Sequence, residues 1–150
     1  IQADDRFVWE MRTWARAVEE SGNDAYLYFF RHAPPVFRIY VPERAAIDMP
    51  DGPTGYGAYH SGDLAYAFAN TQLVGVGWSE WDHELAHEMS EYWVNFARTG
   101  DPNGEGLIVW PKYEASTDPW LEFGSMIQVV HDVRKEKLDL FDRVNAPATP

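Results

Sequence analysis

Apolar residues recur at helical spacing near the start of the chain, where Phe7, Met11, Trp14 and Val18 line one face of a predicted helix. Asp4 and Asp5 stand ahead of it as capping residues, and Gly22 with Asn23 closes it. Residues 25–31 (AYLYFFR) then run almost without polar interruption. Such a run suits a strand buried on both faces, as in a parallel sheet, and Pro34 and Pro35 end it. Residues 36–57 show little periodicity and are broken by Pro42, Pro50 and Pro53, which predicts a long loop. The second half of residues 57–68 (GAYHSGDLAYAF) reads as a short helix. The strongest helical pattern covers residues 80–98, with Trp81, Leu85, Met89, Tyr92, Trp93 and Phe96 as its apolar stripe. Gly100 ends it, and DPNG at 101–104 is a turn signal. Two short strands are expected at 120–123 and 126–130, and a charged helix at 133–143. Residues 145–150 read as a frayed end.

At 150 residues the length suits one domain with no boundary inside it. Hydrophobic residues make up 45% and aromatics 15%, enough to build a core. Twelve Lys and Arg stand against 24 Asp and Glu, a net charge of −12. A polyanion would be repelled, which argues against nucleic acid or an anionic membrane surface as the main partner. No apolar run approaches the roughly 20 residues of a membrane span. With no Cys, the chain offers no disulfide, thiolate metal site or Cys nucleophile.

His83, Glu84 and His87 spell H-E-x-x-H on the predicted helix, a pattern that can hold zinc with Glu as general base. At about 100° per residue, both His lie roughly 150–190° from the centre of the apolar stripe, on the side expected to face solvent. Charged Glu80 and Glu88 flank the motif, and no HxxGxxH continuation supplies a third ligand. The pattern therefore reads as an exposed helix face, with a zinc peptidase as the weakest alternative.

His60 lies in a Gly-flanked loop just before a helix. Around it, Gly57, Ala58, His60, Leu64, Tyr66 and Phe68 fit the pattern G-A-x-H-x-x-E-L-x-Y-x-F. That segment resembles the type-B carboxylesterases, the family of cholinesterases and para-nitrobenzyl esterases built on the α/β-hydrolase fold. Other segments resemble the same family in the same order: FVWEMRTWAR at 7–16, AYLYFF at 25–30, and YWVNFARTGDPNG at 92–104 followed by Trp110, Pro111, Lys112 and Tyr113. The resemblance runs from about residue 6 to residue 143, and implies the carboxyl-terminal portion of an α/β-hydrolase fold.

In that family the resemblance makes His60 the triad histidine. It would take the Ser proton during attack on an ester carbonyl and return it to the leaving alkoxide. Asp63 stands where the family has Glu, and is implied as a structural partner of the His loop. Tyr59 and Phe68 are substrate-pocket candidates. No cofactor or metal is implied. None of Ser21, Ser61, Ser79, Ser90, Ser116 and Ser125 sits in a G-x-S-x-G elbow. The expectation is thus a serine esterase of which this chain supplies only the histidine, inactive alone because nucleophile and acid lie upstream. Its partners would be a small-molecule ester and the upstream part of the same esterase. The incomplete sheet predicts an exposed apolar patch, which leaves self-association open. A noncatalytic cholinesterase-like binding or adhesion module is the alternative. Eukaryotic secreted relatives usually carry disulfides, so the absence of Cys leans toward a soluble bacterial protein, cytoplasmic or secreted, with the compartment itself unassigned.

Overall fold

The computed structural model describes residues 4–35, 57–72 and 77–146. Most of the expected long loop and the last four residues of the expected frayed end lie outside them. The described residues form four α-helices and three strands: α1 (Glu10–Glu20), β1 (Tyr28–Phe30), α2 (Leu64–Ala67), α3 (Glu80–Thr99), β2 (Pro119–Phe123), β3 (Ile127–His131) and α4 (Lys135–Asn145). A wider helical segment of π type, Asp4–Trp9, runs directly into α1, which therefore begins without a capping side chain. The sheet order is β1-β2-β3. Leu121 N–H donates to the Leu27 carbonyl and Arg31 N–H to that of Phe123. Residue numbers rise together across this pair, so β1 and β2 run parallel. Between β2 and β3 they run oppositely, since Gly124 N–H bonds to Met126 and Asp132 N–H to Asp118. The central strand β2 is buried at all five positions.

The chain divides into two compact units. The first combines residues 1–29, 110–121 and 128–150. Its core is Ala15, Leu27, Tyr113 and Trp120, with Val8, Ala25, Phe29, Val130 and Val133 packed against it. Here α1 departs from the sequence expectation. Phe7, Met11 and Trp14 are exposed, Trp14 by 65%, while Arg12 and Ala15 are buried. The inward face is one residue, or about 100°, away from the apolar stripe. The reason is an ion-pair cluster. Arg12 Nη2 donates to Asp142 Oδ2 at 2.7 Å and lies 3.1 Å from Asp139 Oδ1. Arg16 and Trp9 also donate to Asp142, at 2.9 and 2.7 Å. A charge buried with such partners is tolerated, and the small Ala15 lets α1 approach Trp120 closely.

The strand expected at 25–31 is also shorter, and β1 is only half-buried. Upstream of it the chain is held by a strut rather than a ladder. Tyr113 N–H donates to the Ala25 carbonyl at 2.8 Å, and Trp110 Nε1 to the Leu27 carbonyl at 3.0 Å. Tyr26 and Tyr28 each meet the Trp110 ring edge-on.

The second unit holds residues 30–109 and 122–127. α3 is fixed at both ends by local chemistry. Ser79 and Asp82 form a reciprocal capping box, and Gly100 takes φ +79°, a left-handed turn that ends the helix. Leu85, Met89 and Tyr92 are buried, whereas Phe96, expected on the same stripe, is half exposed. Tyr92 and Trp93 meet the Phe123 ring, and Trp81 Nε1 donates to the Gly124 carbonyl. Ala65, Tyr66 and Ala67 of α2 are buried in the same unit.

Candidate functional site

His60 opens a tight turn, residues 60–63, that leads straight into α2. Gly62 N–H bonds back to the Tyr59 carbonyl and Leu64 N–H to that of Ser61, whose φ is +69°. The turn leaves His60 exposed and buries Gly62. Two contacts seat it against the segment after β1. The Tyr59 hydroxyl donates to the Pro35 carbonyl at 3.0 Å. A Cβ at Gly62 would stand 2.9 Å from Pro34 Cγ and 3.0 Å from the Tyr59 carbonyl oxygen, so only glycine allows this approach.

The other candidate residues divide. Tyr59, just before the turn, and Asp63, at its end, are half-buried, and Asp63 precedes α2 with its carbonyl accepting from Tyr66 and Ala67 N–H. Phe68 ends α2 and is 69% exposed. His83, Glu84 and His87 are exposed on α3. His83 Nδ1 lies 3.2 Å from Thr71 Oγ1, and His87 lies 3.7 Å from Glu91. Among the described residues no three His, Cys, Asp or Glu side chains gather as a metal site. No helix there is long and apolar enough to cross a membrane.

A further polar cluster in the second unit gathers on Asp82, which the sequence pattern does not single out. Asp82, 4% exposed, receives the Tyr66 hydroxyl at 2.6 Å and His32 Nε2 at 2.7 Å on the same oxygen, Oδ1. Its Oδ2 accepts from the Ser79 backbone N–H at 2.7 Å and the Ser79 hydroxyl at 2.6 Å. Burial alone would raise the Asp82 carboxyl. The hydrogen bonds from Ser79, Tyr66 and His32 outweigh it and hold the group below its ordinary value. Asp82 is therefore an ionised acceptor, which places the His32 proton on Nε2. Burial, then the hydrogen bond and charge of Asp82, push the Tyr66 hydroxyl up. Phe30, His32 and Trp78 surround the Tyr66 ring at centroid distances of 5.2, 5.6 and 5.6 Å. The S-x-x-D spacing at 79–82 was the one visible signal of this cluster, and it announces a helix start rather than a network.

Comparison with known proteins points the chain to one family. The model of the carboxylesterase family matches residues 2–141. A medium-chain fatty acyl-CoA hydrolase precursor of Anas platyrhynchos is 31% identical over 139 residues, covering 93% of this chain and 23% of the relative. A solved carboxylesterase of Geobacillus stearothermophilus superposes with a TM-score of 0.61 at 28% identity, over 82% of this chain and 23% of that one. An esterase of Clostridium hathewayi that can hydrolyse aliphatic aromatic polyesters gives a TM-score of 0.64 at 24% identity, over 86% of this chain and 23% of that one. The chain thus spans less than a quarter of the length of these relatives, and its helices and small mixed sheet are a partial α/β-hydrolase fold. Family model, relatives and fold agree that the chain belongs to the carboxylesterase family.

Proposed function

We propose that the chain is the histidine-bearing part of a serine carboxylesterase, and that His60 is its general base. One observation carries the reading: the family match spans the segment in which a tight turn presents His60 at the surface ahead of α2. In the proposed reaction the His60 imidazole takes the proton of a serine hydroxyl as it attacks an ester carbonyl. It then returns that proton to the departing alkoxide, and repeats the cycle with water. The serine and the acid that orients His60 come from outside this chain, in which no G-x-S-x-G occurs. Asp63 serves as a structural partner of the turn, and Tyr59 and Phe68 border the ester. The reaction as proposed uses no cofactor.

The exposed Phe7, Met11 and Trp14 support the same reading, because the remainder of such a domain would cover them. Hydrolysis of a para-nitrophenyl ester tests it. The chain alone should not exceed background. Combined with a segment carrying the serine elbow of a related carboxylesterase, it should hydrolyse the ester and lose that activity on His60→Ala. Substantial hydrolysis by the chain alone that disappears in His60→Ala, or a reconstituted activity indifferent to His60, would overturn the proposal.

A further inference from the structure

The polar cluster around Asp82 touches both sides of the His60 turn. On one side lies the segment 32–35, against which the turn is seated: Pro34 meets Gly62, and the Pro35 carbonyl takes the Tyr59 hydroxyl. On the other side lies α2, into which the turn feeds and whose Tyr66 is fully buried. The two have no direct tie at His32 and Tyr66 except through a ring contact, and both donate to a single carboxylate oxygen. That oxygen belongs to the first turn of α3, and the second oxygen of the same group is consumed by the Ser79 cap. The division of labour is sharp: Oδ2 starts a helix, and Oδ1 joins the two walls of a turn.

We propose that Asp82 is the positioning residue of His60, acting through His32 and Tyr66 to set where the turn stands. The proposal rests on the reading of His60 as the general base, and it adds a residue that touches neither serine nor ester. A carboxylate is required at this position. It accepts four short hydrogen bonds at once, and an amide presents a donor where a donor already points. Removing it leaves the buried Tyr66 hydroxyl without an acceptor, the costly outcome for such a group, and takes the same acceptor from the half-buried His32 N–H. The strain falls on the elements flanking residues 60–63.

Nuclear magnetic resonance on the 150-residue chain separates this role from simple helix capping. The readouts are the His60 imidazole cross-peak and hydrogen exchange at the Gly62, Ala67 and Phe68 amides. These amides bond within the turn and α2, to Tyr59, Asp63 and Leu64. Asp82→Asn should shift or broaden the His60 peak and speed those amides by about tenfold or more, leaving the Tyr113 and Leu121 amides unchanged. Tyr66→Phe and His32→Gln, which each remove one donor to Oδ1, should reproduce part of the effect even if Asp82→Asn fails to fold. Ser79→Ala, which disturbs the Oδ2 side, should loosen the start of α3 and leave the His60 peak in place. An unmoved His60 peak in both Tyr66→Phe and His32→Gln overturns the proposal. So does a Ser79→Ala response at His60 as large as that of Asp82→Asn. Because no readout is catalytic, failure of the esterase reading would show itself separately, in the assay of His60→Ala.

Discussion

Helices α1 and α3 carry similar apolar stripes, yet bury them differently. In α3 the stripe and the buried face agree through its middle, where Leu85, Met89 and Tyr92 are inside, and part only at Phe96 near its end. In α1 they disagree by one residue, with Arg12 inside and Phe7, Met11 and Trp14 outside. The difference lies in what each helix meets within its own unit. Opposite α3 is the aromatic Phe123, which rewards apolar area. Opposite α1 are Asp139 and Asp142, which reward a guanidinium. Hydrophobic spacing predicts the core face only when the neighbouring element is itself apolar.

The contrast can be broken most forcefully at Arg12. Arg12→Ala leaves two aspartates beside a cavity, and should cost about 3–5 kcal/mol in a urea titration followed by circular dichroism. A loss below about 1 kcal/mol would mean that the ion cluster does not hold α1. Leu85→Ala tests the apolar counterpart and should cost about 2–5 kcal/mol by the same measurement.

Acid should act through the carboxylates of both helices' surroundings. For Asp142, burial opposes ionisation, but hydrogen bonds from Arg16 and Trp9 and the charge of Arg12 prevail and lower it; Asp82 is lowered too. A depressed folded value means that their contribution is complete above the unfolded pKa of about 3.9 and fades as pH falls through the folded value. Urea midpoints should therefore be flat from neutral pH to about 5 and drop below about 4, less steeply in Arg12→Ala. A constant midpoint down to pH 3 would contradict this.

The smallest effects sharpen the comparison at its edges. Ser79→Ala removes one cap and should cost about 1 kcal/mol. Trp14→Ala should change stability by no more than about 0.5 kcal/mol, because its ring is outside, while reducing binding of a hydrophobic dye. A core-sized loss at Trp14 would mean that α1 is rotated from the orientation described.

Much of α3 was legible from residues alone. Its expected span of 80–98 compares with an observed Glu80–Thr99, because the apolar stripe and Gly100 are local signals, and the Ser79–Asp82 capping box starts the helix where that stripe begins. The turn at His60 and the short helix after it were also readable, through Gly57, Gly62 and the run that follows. What escaped depends on distance along the chain. The facing of α1 is decided by residues about 130 positions away. The shortening of β1 follows from a strut of Trp110 and Tyr113, whose partners no local pattern announces. The Asp82 cluster draws on residues 32, 66, 79 and 82, and only the last two lie within reach of a spacing rule.

Gly62 gives the turn an unusual kind of tolerance. The clearance between its α-carbon and Pro34 is smaller than a methyl group, so the closeness of the two segments is recorded in the absence of an atom. Any side chain there acts as a spacer of known thickness. Gly62→Ala would bring a methyl carbon to 2.9 Å from Pro34 Cγ and 3.0 Å from the Tyr59 carbonyl oxygen, so the turn or the segment at Pro34 has to shift, with His60 itself unchanged. On the role proposed for His60, where a misplacement of about 1 Å can cost about 10²-fold in rate, position 62 becomes the place where the proposed base can be displaced without being replaced.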